Sequence, residues 1–132
     1  MRSDLRHARL WMSIGYLMVA FVLVGCLLPA PEIEPVAKLL WDKAEHALAF
    51  FGLTLWFVGL YPSRSWARIA VAFFSLGVLI EILQGLFTTT RSADVRDAVA
   101  DTVGILIALA AAWLGAKDWC LWSERLLRLG RR

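Results

Sequence analysis

Three short stretches of this chain carry residue types that can do chemistry, at spacings that gather them. In DKAEH, Asp42 and His46 lie four apart and so share one helix face, with Lys43 beside them. In LIEILQGLF, Glu81 and Gln84 lie three apart inside an otherwise apolar run. In DAVAD, Asp97 and Asp101 are again four apart, downstream of Arg91 and Arg96. A histidine or glutamate in such company can serve as a general base. Acids interleaved with Lys43, Arg91 and Arg96 can recognise a zwitterionic or phosphate group. A histidine beside two or three carboxylates can hold a divalent ion, an oxygen-rich set favouring Mg²⁺ or Mn²⁺ over Zn²⁺. The chain has no HExxH, no serine in a glycine elbow, no Cys–His pair and no phosphate loop. No metal and no cofactor is assigned.

The elements that must position these residues are apolar helices. Of 132 residues, 60% are hydrophobic, and whole stretches lack the polar face a soluble helix needs. Leu10 to Leu28 holds 19 residues without a charge, and Ile69 to Phe87 holds 19 with Glu81 alone. A bilayer core takes about 20 apolar helical residues, so both runs predict spans. Ala47 to Tyr61 and Thr102 to Ala116 are uncharged runs of 15. Each reaches span length if the polar turn before it joins the helix. The expectation is an all-α fold, one membrane domain over 1–132, with four transmembrane helices near 10–28, 42–61, 69–87 and 97–116. The tail 117–132 places Trp119, Trp122, Leu126 and Leu129 at helical spacing, with Arg125, Arg128 and Arg132 on another face. That predicts an amphipathic helix on an anionic leaflet.

The net charge of +3 then reports orientation and gives no reason to expect nucleic acid. Ten of the 14 basic residues lie before the first helix, between the second and third, or after the fourth. The positive-inside rule makes both termini cytoplasmic and turns the 29–41 and 88–96 loops outward. Pro29, Pro31 and Pro35 predict a stiff extended outer loop, and Thr, Ser and Asp in TTTRSADVRD are available to cap the fourth helix. Trp11, Trp66, Trp119 and Trp122 at the inner interface and Trp41 at the outer one read as an aromatic belt. Cys26 and Cys120 fall at opposite ends of about 30 Å of hydrocarbon and cannot pair within one chain. LVGC, ending at Cys26, resembles a lipoprotein cleavage box, but the apolar run continues to Leu28, and an uncleaved helix is expected.

Helical periodicity groups the polar residues with small ones. Ala70, Phe73, Gly77, Glu81, Gln84 and Thr88 form one stripe, and Asp97, Asp101, Gly104, Ala108, Ala112 and Gly115 another. Small residues let membrane helices approach, so the acids should face the bundle interior. Glu81 stands six residues before Phe87, about 9 Å below the outer end, level with His46, Asp97 and Asp101. One outer-facing polar pocket is expected, with Arg91 and then His46 as the partner of Glu81.

Together, in this order, DKAEH, EILQ, Arg91 and DAVADTVG resemble the VanZ-like family of small bacterial membrane proteins. Asp42, Lys43, His46, Glu81, Gln84, Arg91, Asp97, Ala100 and Gly104 match its pattern in place, over about residues 38–115. Where that pattern has Asn, this chain has Asp101, which when ionised accepts hydrogen bonds and donates none. The resemblance implies a protein acting at the envelope, the family's namesake being associated with low-level teicoplanin resistance. The expected function is binding of a membrane lipid headgroup, a lipid-linked envelope precursor or an amphipathic glycopeptide-type antibiotic. Two alternatives stand beside it. One is a membrane-embedded enzyme using His46 or Glu81 in acid–base chemistry on a lipid. The other is a structural four-helix subunit that pairs with a second copy or another protein.

Overall fold

A computed structural model describes residues 1–2, 4–28, 35–87 and 94–129; of 35–39 and 128–129 the backbone alone is described. Among the described residues the chain is all helix and turn, without a strand. The helices are α1 (Ala8–Leu27), α2 (Pro35–Leu60), α3 (Trp66–Phe87), α4 (Val95–Trp113) and α5 (Trp119–Leu129). Short 3-10 turns at Ser63–Ser65 and Ala116–Asp118 lead into α3 and α5.

Local chemistry explains where these helices begin and end. Pro35 is the first residue of α2, a position that tolerates the missing N–H and suits proline's fixed φ. It was expected in an extended loop instead; Pro29 and Pro31, from the same expectation, lie outside the described residues. Asp42 therefore sits about two turns inside α2 rather than opening it. Asp94 caps α4, its side chain accepting from the Arg96 N–H at 2.9 Å, as the Asp in that loop promised. After Trp113 the chain reaches Gly115 at φ 115°, a left-handed conformation that suits glycine, and its N–H bonds back to the Ala112 carbonyl. Gly115 thus ends α4 rather than continuing its small-residue stripe, and α5 leaves at 84°.

The core is organised around α2, which contacts all four other helices. Phe50, Leu53, Val58 and Leu60 are fully buried along it. Against α4 the approach is backbone to backbone: a Cβ at Gly104 would land on the Ala47 carbonyl and the Phe51 amide. The expected inward faces of α3 and α4 are the buried ones, Phe73, Gly77, Glu81 and Gln84 on the first and Asp97, Asp101, Gly104, Ala108 and Ala112 on the second. Cys26 and Cys120 are both buried, in separate apolar clusters.

Two helical segments, α1 and α3 with its leading turn, are long and apolar enough to cross a membrane, or three if bent α4–α5 makes one span. On that count α2 falls short, because Lys38, Asp42, Lys43, Glu45 and His46 load its first half. Outward faces are largely apolar, as at Leu17 and Phe21 on α1, Ile82 on α3, and Val99 and Leu106 on α4. A protein with such a surface belongs in lipid.

The aromatic residues near the chain's N- and C-terminal ends correct the belt expectation. Trp11 and Trp119 turn inward to Trp56, with ring centroids 4.4–5.8 Å apart. Trp66 is buried, its indole N–H donating to the Val58 carbonyl, and Trp119 donates to the Leu55 carbonyl. Each ring has an apolar body to bury and one N–H to satisfy, and a helix carbonyl does so here in place of the interface. Trp41 and Trp122 remain exposed.

Candidate functional site

The polar residues of α2, α3 and α4 meet at one end of the bundle. On α4, Asp97 lies in the first turn and Asp101 one turn deeper, both within 2% of full burial. Opposite them on α2, His46 is fully buried, and its Nδ1 lies 2.9 Å from Asp101 Oδ1. With Asp101 ionised, an acceptor only, and the imidazole neutral, Nδ1 carries the hydrogen and Nε2 keeps its lone pair. Among the described residues His46 Nε2 and Asp101 Oδ2 have no hydrogen-bond partner.

One turn before His46, Lys43 joins the acids into a cluster. Its ammonium contacts Asp97, lies 2.9 Å from Asp94 Oδ2 and lies 3.7 Å from Asp42 Oδ2. Asp94 is the junction. Besides capping α4, its backbone N–H donates to Glu81 Oε2 at 2.8 Å, which connects α3 to the cluster. The Arg96 N–H first, and then the Lys43 ammonium, hold the Asp94 carboxyl below the usual aspartate range. Glu81 Oε1 is buried without a hydrogen-bond partner among the described residues. A groove of about 320 Å³ runs past it between α3 and α4, lined by Val78, Ile82, Val95 and Ala98 with Glu81 and Asp94.

The structure brings together Asp42, Lys43, His46, Glu81, Asp97 and Asp101, but it pairs them differently from the expectation. His46 takes Asp101, not Glu81, because the close α2–α4 contact at Gly104 sets those two residues level. Gln84 turns toward α1, its amide donating to the Cys26 carbonyl at 2.8 Å, so it fastens the end of α1 to α3 beside the cluster. Arg91, the first-choice partner of Glu81, lies outside the described residues, as does Thr88.

A protein-family model described as VanZ/LLP1 matches residues 7–116. The chain belongs to the VanZ/LLP1 family. Comparison with curated proteins and with solved structures gives no match.

In this VanZ/LLP1 chain Asp101, where the resemblance led to Asn, is the group that orients His46. Two residues escaped the sequence reading. Asp94 was expected in the loop above the pocket and as one of several available caps, but its bonds to Lys43 and Glu81 were not, since they depend on how α2 and α3 are placed around it. Glu124, at the other end, was not singled out in the tail. It is 5% exposed and accepts from the Arg6 N–H, the His7 N–H and the Trp11 indole at 2.8–3.0 Å. Burial alone would raise its carboxyl, but those donors and the nearby His7 hold it below the usual glutamate range. Its spacing gives no sign of this, since it is buried only because α5 folds back under α1.

Proposed function

We propose that this is a multi-pass protein of the bacterial cytoplasmic membrane whose polar cluster, at the outer face, binds the headgroup of an amphiphile. In this reading α1 to α4 each span the bilayer, both termini are cytoplasmic, and α5 lies on the inner leaflet. The distribution of basic residues supports the orientation. Exposed Trp122, Leu126 and Leu127 on α5, with Arg125 among them, support the interfacial placement.

The observation that carries the binding reading is the continuity of cluster and groove. Glu81 and Asp94 belong to both, so an apolar chain lying along Val78, Ile82 and Val95 would place its headgroup against them. Glu81 offers a carboxylate oxygen that no described side chain uses. The cluster holds more acids than bases, which suits an ammonium or a hydroxyl-rich headgroup. A membrane lipid, a lipid-linked envelope precursor and a glycopeptide-type antibiotic each combine such a group with an apolar part.

The test is native mass spectrometry of the protein in mild detergent, titrated with an aminophospholipid, a polyprenyl-linked precursor and teicoplanin. Glu81→Gln keeps the shape and should weaken the best ligand about tenfold, the worth of one charge-assisted hydrogen bond. Equal binding by the variant, with unchanged thermal unfolding, would sink the reading. The His46–Asp101 pair favours a second reading, acid–base catalysis on the same amphiphile. A change in ligand mass on incubation, absent with His46→Gln, would select it.

A further inference from the structure

Asp42 and His46 stand one turn apart on α2, and Asp97 faces them from the first turn of α4. A carboxylate oxygen of Asp42, a ring nitrogen of His46 and a carboxylate oxygen of Asp97 all lie within 4.8 Å of one another. Donors held about 2.1 Å from one ion are at most about 4.2 Å apart, so small side-chain rotations would close the set. From this convergence, and from the state of His46, we propose that Asp42, His46 and Asp97 bind a first-row divalent cation, Mn²⁺ or Zn²⁺.

The state of His46 is the second, independent observation. The side chain is fully buried, Nδ1 is engaged by Asp101, and Nε2 has no hydrogen-bond partner among the described residues. A polar ring nitrogen left unsatisfied in the interior is costly. An imidazole whose Nδ1–H is held by a carboxylate, which leaves Nε2 free to ligate, is the arrangement that metal-binding histidines adopt. Asp101 fixes the tautomer that ligation requires, so it is a positioning residue in this site.

Charge points the same way. Asp42, Glu81, Asp94, Asp97 and Asp101 bring five carboxylates to one end of the bundle. Among the described residues, the ammonium of Lys43 is the one cation from Lys or Arg in contact with that cluster. Arg96 is exposed at its edge. Acids gathered at membrane depth are expensive, and a divalent ion would offset part of that cost. The donor set selects the ion. The imidazole counts against Mg²⁺, which sheds water reluctantly and takes oxygen ligands, while the two carboxylates keep Mn²⁺ ahead of Zn²⁺, which accepts the same three donors.

Lys43 gives the proposal a distinguishing sign. Its ammonium lies against Asp97 and near Asp42, two of the three ligands, so it competes with the ion. On ion binding it would keep Asp94, its other partner. A site of this kind binds metal more tightly when Lys43 loses its charge. A merely structural ion-pair network would only be weakened by the same change.

The experiment uses the full chain in mild detergent, carrying an affinity tag free of histidine, stripped with chelator and titrated calorimetrically with Zn²⁺ and with Mn²⁺. The same samples are assayed for metal by mass spectrometry, and Mn²⁺ uptake is followed by electron paramagnetic resonance. Wild type should take up one ion per chain. Asp101→Asn should weaken binding about 10- to 100-fold, as loss of an outer partner does. His46→Gln should abolish it with helicity unchanged, and Asp42→Asn, at a half-buried position, provides a second ligand variant if His46→Gln fails to fold. Lys43→Gln should tighten binding about tenfold or more. No stoichiometric uptake of either ion by wild type would overturn the proposal, as would a Lys43→Gln variant that binds more weakly than wild type. Metal uptake is read with no lipid or antibiotic added, so its failure is distinguishable from failure of the amphiphile titration.

Discussion

Gly104 sets the distance between α2 and α4, and a single methyl group there tests the architecture that assembles the site. A Cβ at this position would overlap the Ala47 carbonyl oxygen and press on the Phe51 amide at 3.0 Å. Both obstacles are backbone atoms in the middle of a helix, so neither can rotate away. The helices must instead separate by roughly 1 Å to restore an ordinary carbon–oxygen contact. Overpacking costs about 1–3 kcal/mol, and a collision with backbone on the most extensively packed helix pair belongs at the upper end. For Gly104→Ala a loss of about 3 kcal/mol corresponds to a fall of roughly 10 °C in thermal midpoint for a chain of this size. The measurement is circular dichroism during heating in mild detergent. Gly52→Ala on α2 is the control, because a Cβ there meets nothing within 4 Å. A Gly104→Ala midpoint within about 2 °C of wild type would refute the close approach, and with it the reason His46 lies level with Asp101.

Two further predictions concern acids whose partners are fully described. Acidification should release α5: the Glu124 carboxyl is held below its ordinary value, so its contribution is present above that value and is lost as pH falls through the lowered one. Cys120, fully buried beside this contact with its thiol pushed up to about 12, should become maleimide-reactive in Glu124→Gln at neutral pH and stay inert in wild type. Equal labelling of the two would show that Glu124 does not hold α5 in place. At Asp94, the cap and the ion pair separate by substitution, because asparagine caps as well as aspartate but does not pair with Lys43. Asp94→Ala should cost about 1 kcal/mol more than Asp94→Asn in denaturant unfolding, and equal losses would deny the cap.

Periodicity carried much of this site, and it did so because α-helices repeat reliably. Phe73, Gly77, Glu81 and Gln84 share a face at any axial position of α3, and they are all buried. The same holds for Asp97, Asp101, Gly104, Ala108 and Ala112 on α4. What periodicity does not carry is stagger between helices. Whether His46 meets Asp97 or Asp101 depends on a slide of one turn between α2 and α4, and that slide is set by where Gly104 rests on Ala47. Capping chemistry was half legible. Asp94 was readable as a cap, but Pro35 was read as a breaker although the first position of a helix accepts proline. Trp11, Trp66 and Trp119 pack inward for a related reason. Position near a helix end suits an interfacial ring, and it equally suits a ring packed under a neighbouring helix whose carbonyl takes the N–H.

The two ends of the bundle bury acids in opposite ways, and the contrast bears on which end does chemistry. Glu124 accepts from three donors spread over both oxygens, so neither oxygen is left wanting. An acid saturated by protein donors has nothing to offer a ligand, and its work is to hold the segment before α1 against α5. At the other end, Glu81 Oε1, Asp101 Oδ2 and His46 Nε2 are buried and lack hydrogen-bond partners among the described residues. A bundle that needed only to fold would gain by replacing such groups with apolar ones of similar shape. Retaining acceptors that the protein itself leaves unsatisfied makes sense where something else supplies the donor or the charge. The groove beside Glu81 admits an amphiphile, and the juxtaposed Asp42, His46 and Asp97 admit a cation, so the unsatisfied end is where ligands should be sought.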